Sequence, residues 1–158
     1  MKSRIYVETS VISYLAARPS DNAVNASRQY FSYQLWQRRE RLGLVISEAV
    51  MAEATVGDAQ AVGNRLVFCN ALPLLGIPSD ALELAEQLVA KRAIPAKAFT
   101  DAVHIATAAL HQVDLIASWN FKHIAGPMAR RKIEQTLAKL GQFVPTIATP
   151  EEILESTR

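Results

Sequence analysis

Four oxygen-bearing side chains, Glu8, Glu53, Asp101 and Asn120, stand where an α/β protein could build a reactive site. Glu8 directly follows the β-type run Ile5-Tyr6-Val7, and Asn120 follows the apolar run Leu115-Ile116-Ala117-Ser118 after one residue. Open α/β sheets gather their sites at the carboxyl ends of strands. Glu53 lies one and a half turns into a helical run among Ala, Val and Met, where capping no longer explains an acid. Asp101 sits early in a helix that is apolar around most of its circumference, where a carboxylate is costly unless a partner meets it. Taken alone, Asp101 reads equally well as a first-turn acid favoured by the helix dipole. Three carboxylates brought together repel one another and need a cation. Hard oxygen ligands without histidine or thiolate select Mg²⁺ or Mn²⁺ over zinc. Such a site fits metal-assisted phosphodiester hydrolysis, in which the metal activates water and neutralises developing phosphate charge.

Other chemistries find less support. There is no glycine-rich phosphate loop and no nucleophile elbow. His104, His111 and His123 show no zinc-like spacing. The single cysteine, Cys69, excludes an intrachain disulfide, and its neighbours Leu66, Val67 and Phe68 point to a buried, inert thiol. The net charge of +2 is weakly basic and does not by itself indicate a nucleic-acid partner. With half its residues hydrophobic and a fifth charged, the 158-residue chain is expected to fold as one globular domain over 1–158. No signal peptide or membrane span is visible, and Met1-Lys2-Ser3-Arg4 leads straight into the first strand, so the cytoplasm is the expected compartment.

The elements that must position the four residues alternate between strand and helix. After the strand at 5–7, Thr9 or Ser10 is placed to cap a helical turn or two that ends near Pro19. A long helix is expected from Asp21 or Asn22 to Arg41, with Tyr30, Phe31, Leu35 and Trp36 at helical spacing and a charged tail at 38–41. A strand at 43–47 leads to Ser47 as the cap of the helix that carries Glu48 and Glu53. A helix at 59–68, a weaker strand at 70–75, and a helix at 81–91 capped by Ser79 or Asp80 come next. Pro95 then opens the Asp101 helix. Phe99, Ala102, Val103, Ala106, Ala109, Leu110 and Val113 form its apolar stripe, and Asp101 and His104 lie on the other side. The strand at 115–118 runs into a polar loop at 120–123, followed by an amphipathic helix at 128–140, a strand at 143–147 and a helix opened by Pro150. This order predicts a three-layer α/β/α fold around a mainly parallel sheet of four to five strands.

Three segments, IYVETSVISYL, VISEAVMAEATVGD and TDAVHIATAALHQVDLIASWNFKHI, carry a resemblance in their order and spacing. The chain resembles the PIN-domain ribonucleases of the VapC-type toxin group from Ile5 to about Ile124, and weakly on to Pro150. The resemblance places the family's three metal-holding acids at Glu8, Glu53 and Asp101, and its fourth polar position at Asn120, which would orient the metal's water shell. Two departures stand out: the first acid is a glutamate where aspartate is commoner, and the fourth position is an uncharged amide. The resemblance implies a small Mg²⁺-dependent endoribonuclease that arrests translation by cutting RNA. It also implies a cognate antitoxin laid across the site, and a homodimer. Lys122, Arg130 and Arg131 are candidates for phosphate contacts.

Two other readings compete with this one. A receiver-like Mg²⁺-binding module would also gather acids at strand ends, but its paired early acids, mid-chain phospho-acceptor aspartate and late lysine are absent. A degenerate PIN domain serving as a protein-binding scaffold would keep the acids without the cutting. The aromatics of the long second helix exceed what one face can bury, so part of it is expected to face an antitoxin or a second copy of the chain.

Overall fold

A computed structural model describes residues 3–158; Met1 and Lys2, the start of the expected lead into the first strand, lie outside the described residues. Five strands form one all-parallel sheet in the order β3-β2-β1-β4-β5. They are β1 (Ile5–Val7), β2 (Leu44–Ser47), β3 (Leu74–Leu75), β4 (Leu115–Ala117) and β5 (Thr146–Ala148). The connecting helices are α1 (Thr9–Ala16), α2 (Ala23–Gln37), α3 (Arg39–Leu42), α4 (Glu48–Ala54), α5 (Ala59–Cys69), α6 (Ala81–Ala90), α7 (Phe99–Leu110), α8 (Pro127–Lys139) and α9 (Pro150–Ser156). The fold is the expected three-layer α/β/α arrangement. No helix among the described residues is long and apolar enough to cross a membrane.

The strands are short and apolar because helices cover both faces of a parallel sheet. Every residue of β1 and β2 is buried, Ser47 included. The central strand β1 pairs with β2 on one side, Ile5 opposite Leu44, and with β4 on the other, Val7 opposite Ala117. The chain therefore winds one way from β1 to β2 and β3, and the other way through β4 and β5. At such a reversal the loops leaving neighbouring strands diverge and open a crevice at their carboxyl ends. The reversal lies between β1 and β4, so the crevice opens beside Glu8 and Ser118. Along one wall runs α7, in which all eight residues from Ala102 to Ala109 are buried.

Several boundaries differ from the sequence expectation. The long second helix breaks at Arg38, whose N–H bonds back three residues to the Leu35 carbonyl, and a separate short α3 follows. Gly43 ends α3 in the left-handed region at φ +66, where a side-chain carbon would collide with the Ser3 carbonyl oxygen, so β2 starts one residue later than predicted. β3 is only two residues long at the sheet edge. β5 begins at Thr146, after Pro145, which has no N–H to give a ladder. Asp80 heads α6 without a side-chain cap bond, and α1 is capped by Glu8 itself where Thr9 or Ser10 was expected. The polar loop after β4 is a single π-helical turn, Phe121–Ala125, capped by the Asn120 side chain.

Candidate active site

Glu8 leaves the end of β1 almost wholly buried, at 4% exposure, and its backbone N–H is held by the Ala117 carbonyl of β4 at 3.0 Å. Its carboxylate is fixed from two sides of the crevice. Oε1 accepts from the hydroxyls of Ser10 and Ser118, each at 2.6 Å, and Oε2 accepts from the Ser10 backbone N–H at 3.1 Å. Short neutral donors of this kind satisfy a buried carboxylate without cancelling its charge.

Glu53 reaches the same point from α4. Its Oε1 accepts from the Thr9 hydroxyl at 2.6 Å and is also in contact with His104 Nε2. His104 is completely buried on α7, and its Nδ1 lies 2.6 Å from the Tyr6 hydroxyl, which in turn lies 2.7 Å from Ser47 Oγ. Burial works against a charge on His104. The Glu53 hydrogen bond and the negative fields of Glu8, Glu53 and Asp101 outweigh it and raise the imidazole above its ordinary pKa. Burial likewise opposes a charge on Glu53, yet the His104 bond and charge, with the Thr9 bond, hold its carboxyl below the usual range. Burial drives the Tyr6 phenol far up, so it stays a neutral link in the chain.

Asp101 stands one turn before His104 on α7, on the same side of that helix. Its Oδ2 accepts from Asn120 Nδ2 at 3.1 Å and pairs with His123 Nδ1 at 3.0 Å. The Asn120 backbone N–H donates to Ser118 Oγ at 3.0 Å, and Ser118 donates in turn to Glu8. Asn120 Oδ1 accepts from the His123 backbone N–H at 3.1 Å, which closes the π-helical turn onto the site.

Two hydrogen-bonded networks thus hold the four sequence-predicted residues, one joining Glu8, Asp101 and Asn120 through Ser118 and the other holding Glu53 with His104 and Thr9. Glu8, Glu53 and His104 each offer a ligand atom within 4.8 Å of the other two. Asp101 and Asn120 form a neighbouring pair joined to that group through Ser118. Sequence reasoning missed His104 as a member, having looked at histidines only for zinc spacing. The Asp101-x-x-His104 interval, which puts both on one face of α7, was the available signal. Ser10, Ser118 and His123 carried no signal of their own, since hydroxyls and a loop histidine are common at any turn.

The donor set suits a hard divalent cation. Among the described residues no lysine or arginine meets any of the three carboxylates. Glu53 Oε2 and Asp101 Oδ1 have no hydrogen-bond donor there, which leaves one oxygen of each open to a ligand. Both ring nitrogens of His104 are engaged, so its place is beside the oxygens as a hydrogen-bonded partner of Glu53.

The PIN domain family pattern matches residues 5–126, most of the chain. No curated protein matches the chain in sequence. Among solved structures it is similar to VapC20 of Mycobacterium tuberculosis, a Sarcin-Ricin loop cleaving toxin, with a TM-score of 0.57 at 18% identity, over 80% of this chain and 94% of that one. At that identity the likeness is one of fold.

Proposed function

The chain belongs to the PIN-domain family, and we propose that it is a metal-dependent endoribonuclease that hydrolyses RNA phosphodiester bonds, acting as a toxin restrained by a cognate antitoxin. The observation that carries this reading is the gathering of Glu8, Glu53 and His104 within 4.8 Å at the sheet's switch point, with Asp101 hydrogen-bonded alongside. The fold likeness to a toxin that cleaves the Sarcin-Ricin loop supports RNA as the substrate. Glu8, Glu53 and Asp101 would hold Mg²⁺, or Mn²⁺, by carboxylate oxygens. A cation there supplies a more acidic water and offsets charge growing on the phosphate.

The chain's own residues do the positioning. His104, locked to Tyr6, holds one oxygen of Glu53 and leaves the other to a ligand. Ser10 in the first turn of α1 and Ser118 after β4 fix Glu8 from two sides, and Asn120 with His123 orients Asp101. The antitoxin, or a second copy of the chain, would find an apolar seat on α2, where Tyr30 and Tyr33 are 59% and 52% exposed. Phe31 and Trp36 are less available, because both are partly buried against the core.

The test is cleavage of fluorescently labelled RNA by the purified protein in Mg²⁺, in Mn²⁺ and in EDTA. The expected result is cutting with either metal, none in EDTA, and strongly reduced cutting by Glu53→Gln with metal. RNA left intact by the metal-loaded parent protein would make the chain a PIN fold that binds without cutting.

A further inference from the structure

Beside the Asp101–His123 pair lies an open groove of about 580 Å³ between the end of α6 and the start of α8. Arg92, Lys97, Lys122 and Lys132 line it, and no acid does. All four are exposed, and none is paired with a carboxylate among the described residues. An exposed cation on a protein surface is ordinary, but four unpaired ones converging on one groove without an acid are a concentrated positive field. His123 lines the groove while its Nδ1 pairs with Asp101, so the groove is continuous with the acid cluster.

Two further features bear on what the groove accepts. Pro95 and Met128 are exposed between the cations, Met128 at 65%, which gives flat apolar groups a surface to rest on. Arg92 occupies the left-handed region at φ 62, a conformation that a side chain disfavours and glycine would adopt freely. A long cation is thus kept in a turn where a glycine would fold more easily.

We propose that this groove is the track for a single-stranded stretch of RNA on one side of the scissile bond. Arg92, Lys97, Lys122 and Lys132 would meet successive phosphates, and Pro95 and Met128 would lie against unstacked bases. A duplex would fit less well, because it hides the base faces that the apolar residues could touch. An acidic peptide would satisfy the cations but would make no use of the groove's continuity with the acid cluster. This inference rests on the nuclease reading for its choice of RNA, and the test below keeps the two apart.

The probe is a fluorescein-labelled oligouridylate of about twelve nucleotides, within the span that single-strand sites cover. Its binding is followed by anisotropy in EDTA, so that no cleavage intervenes. Lys97→Ala/Lys122→Ala should weaken binding at least tenfold at low salt, and should flatten the slope of log K against log salt by about 0.7 for each cation removed. Arg92→Gly should weaken binding severalfold while melting no lower than the parent, which separates the contact from the fold. Arg41→Ala/Lys139→Ala, outside the groove, should bind within twofold of the parent. Parent-like RNA binding by both groove variants, or no binding by the parent, would overturn the proposal, as would groove variants that lose binding to a fluorescein-labelled polyglutamate but keep it to the oligouridylate. If the parent binds the oligonucleotide through the groove yet cuts no RNA with metal, the groove stands and the nuclease reading falls. If it cuts RNA and the groove variants bind as it does, the reverse holds.

Discussion

The acid cluster has two halves that are built differently. On the β1 side, Glu8 is 4% exposed, His104 is fully buried, and the chain Glu53–His104–Tyr6–Ser47 runs from the crevice into the core. On the β4 side, Asp101 is held by Asn120 and His123, both belonging to a polar stretch after a strand rather than to the core. The first half is fixed by the sheet and by a buried histidine, the second by a turn of irregular helix. Loss of the buried histidine should therefore damage folding, whereas loss of the Asp101 charge should spare folding and damage chemistry.

The largest effect is expected from Asp101→Asn. It keeps the shape and removes a charge, so without metal the protein should unfold at the same temperature or slightly higher, since like charges repel. RNA cleavage in saturating Mg²⁺ should fall roughly a thousandfold, a loss of about 4 kcal/mol of transition-state stabilisation. An unfolded variant, or one that cuts at the parent rate, would reduce Asp101 to a first-turn helix acid. Asn120→Ala, which removes no charge, should cost less in the same assay.

His104→Ala should act in the opposite way. It leaves a cavity and deprives both Tyr6 and Glu53 of a partner, which together should cost about 3 kcal/mol in urea unfolding. A stability loss under 1 kcal/mol would mean that the buried half is no more rigid than the open one, and the contrast between them would fail.

A smaller effect should mark the bridge between the halves. Ser118 donates to Glu8 and accepts from the Asn120 backbone N–H, so Ser118→Ala should cost about 1–2 kcal/mol. Exchange of the Asn120 amide with solvent should quicken as well. Unchanged exchange at Asn120 would show the two halves to be independent.

The smallest effect lies away from the site. Arg130 forms a two-pronged ion pair with Glu152, at 2.9 and 2.5 Å, and holds that carboxyl down at about 2 from an ordinary 4.5. A depressed folded value stabilises the protein above the unfolded pKa, and the gain is lost as pH falls from about 4.5 towards 2. Because Glu152 is half exposed, the gain should stay under about 1 kcal/mol. Glu152→Gln should be slightly less stable at neutral pH and converge on the parent near pH 2. An equal gap at both pH values would point to the capping bonds between Glu152 and Thr149, and away from the charge.

Much of this contrast could be read in the sequence, for uneven reasons. The strands β1, β2 and β4 are legible because a strand covered on both faces is apolar throughout, and a polar residue after it marks a sheet edge. Glu53 is legible because its depth in a helix leaves capping no role. The break at Arg38 is not legible, since residues 38–42 are all compatible with helix; what bends the chain there is the burial of Leu42 and the left-handed Gly43, both tertiary. His104 is obscured for a similar reason. A histidine among alanines says nothing of a tyrosine on a neighbouring strand, yet Tyr6 and Glu53 from two other elements hold its two ring nitrogens. The split of the acids into two halves depends on which side chains the π-helical turn brings back to Asp101, and no periodicity encodes that.

Trp119 gives the site an optical dimension. The indole is 6% exposed, donates to Ser32 Oγ at 2.8 Å, and has the Tyr14 ring 6.3 Å away and the Arg28 guanidinium 5.8 Å from its centre. Its own backbone N–H bonds to the hydroxyl that Ser10 gives to Glu8. Any shift of Glu8 when a cation enters is thereby passed, through one serine, to a chromophore whose emission colour and intensity depend on its polar neighbours. The other tryptophan, Trp36, lies against Phe68 and Arg39, away from that serine. With Trp36 changed to phenylalanine, the protein would carry a single intrinsic lamp wired to the proposed metal site, and occupancy could be read in a cuvette without a label.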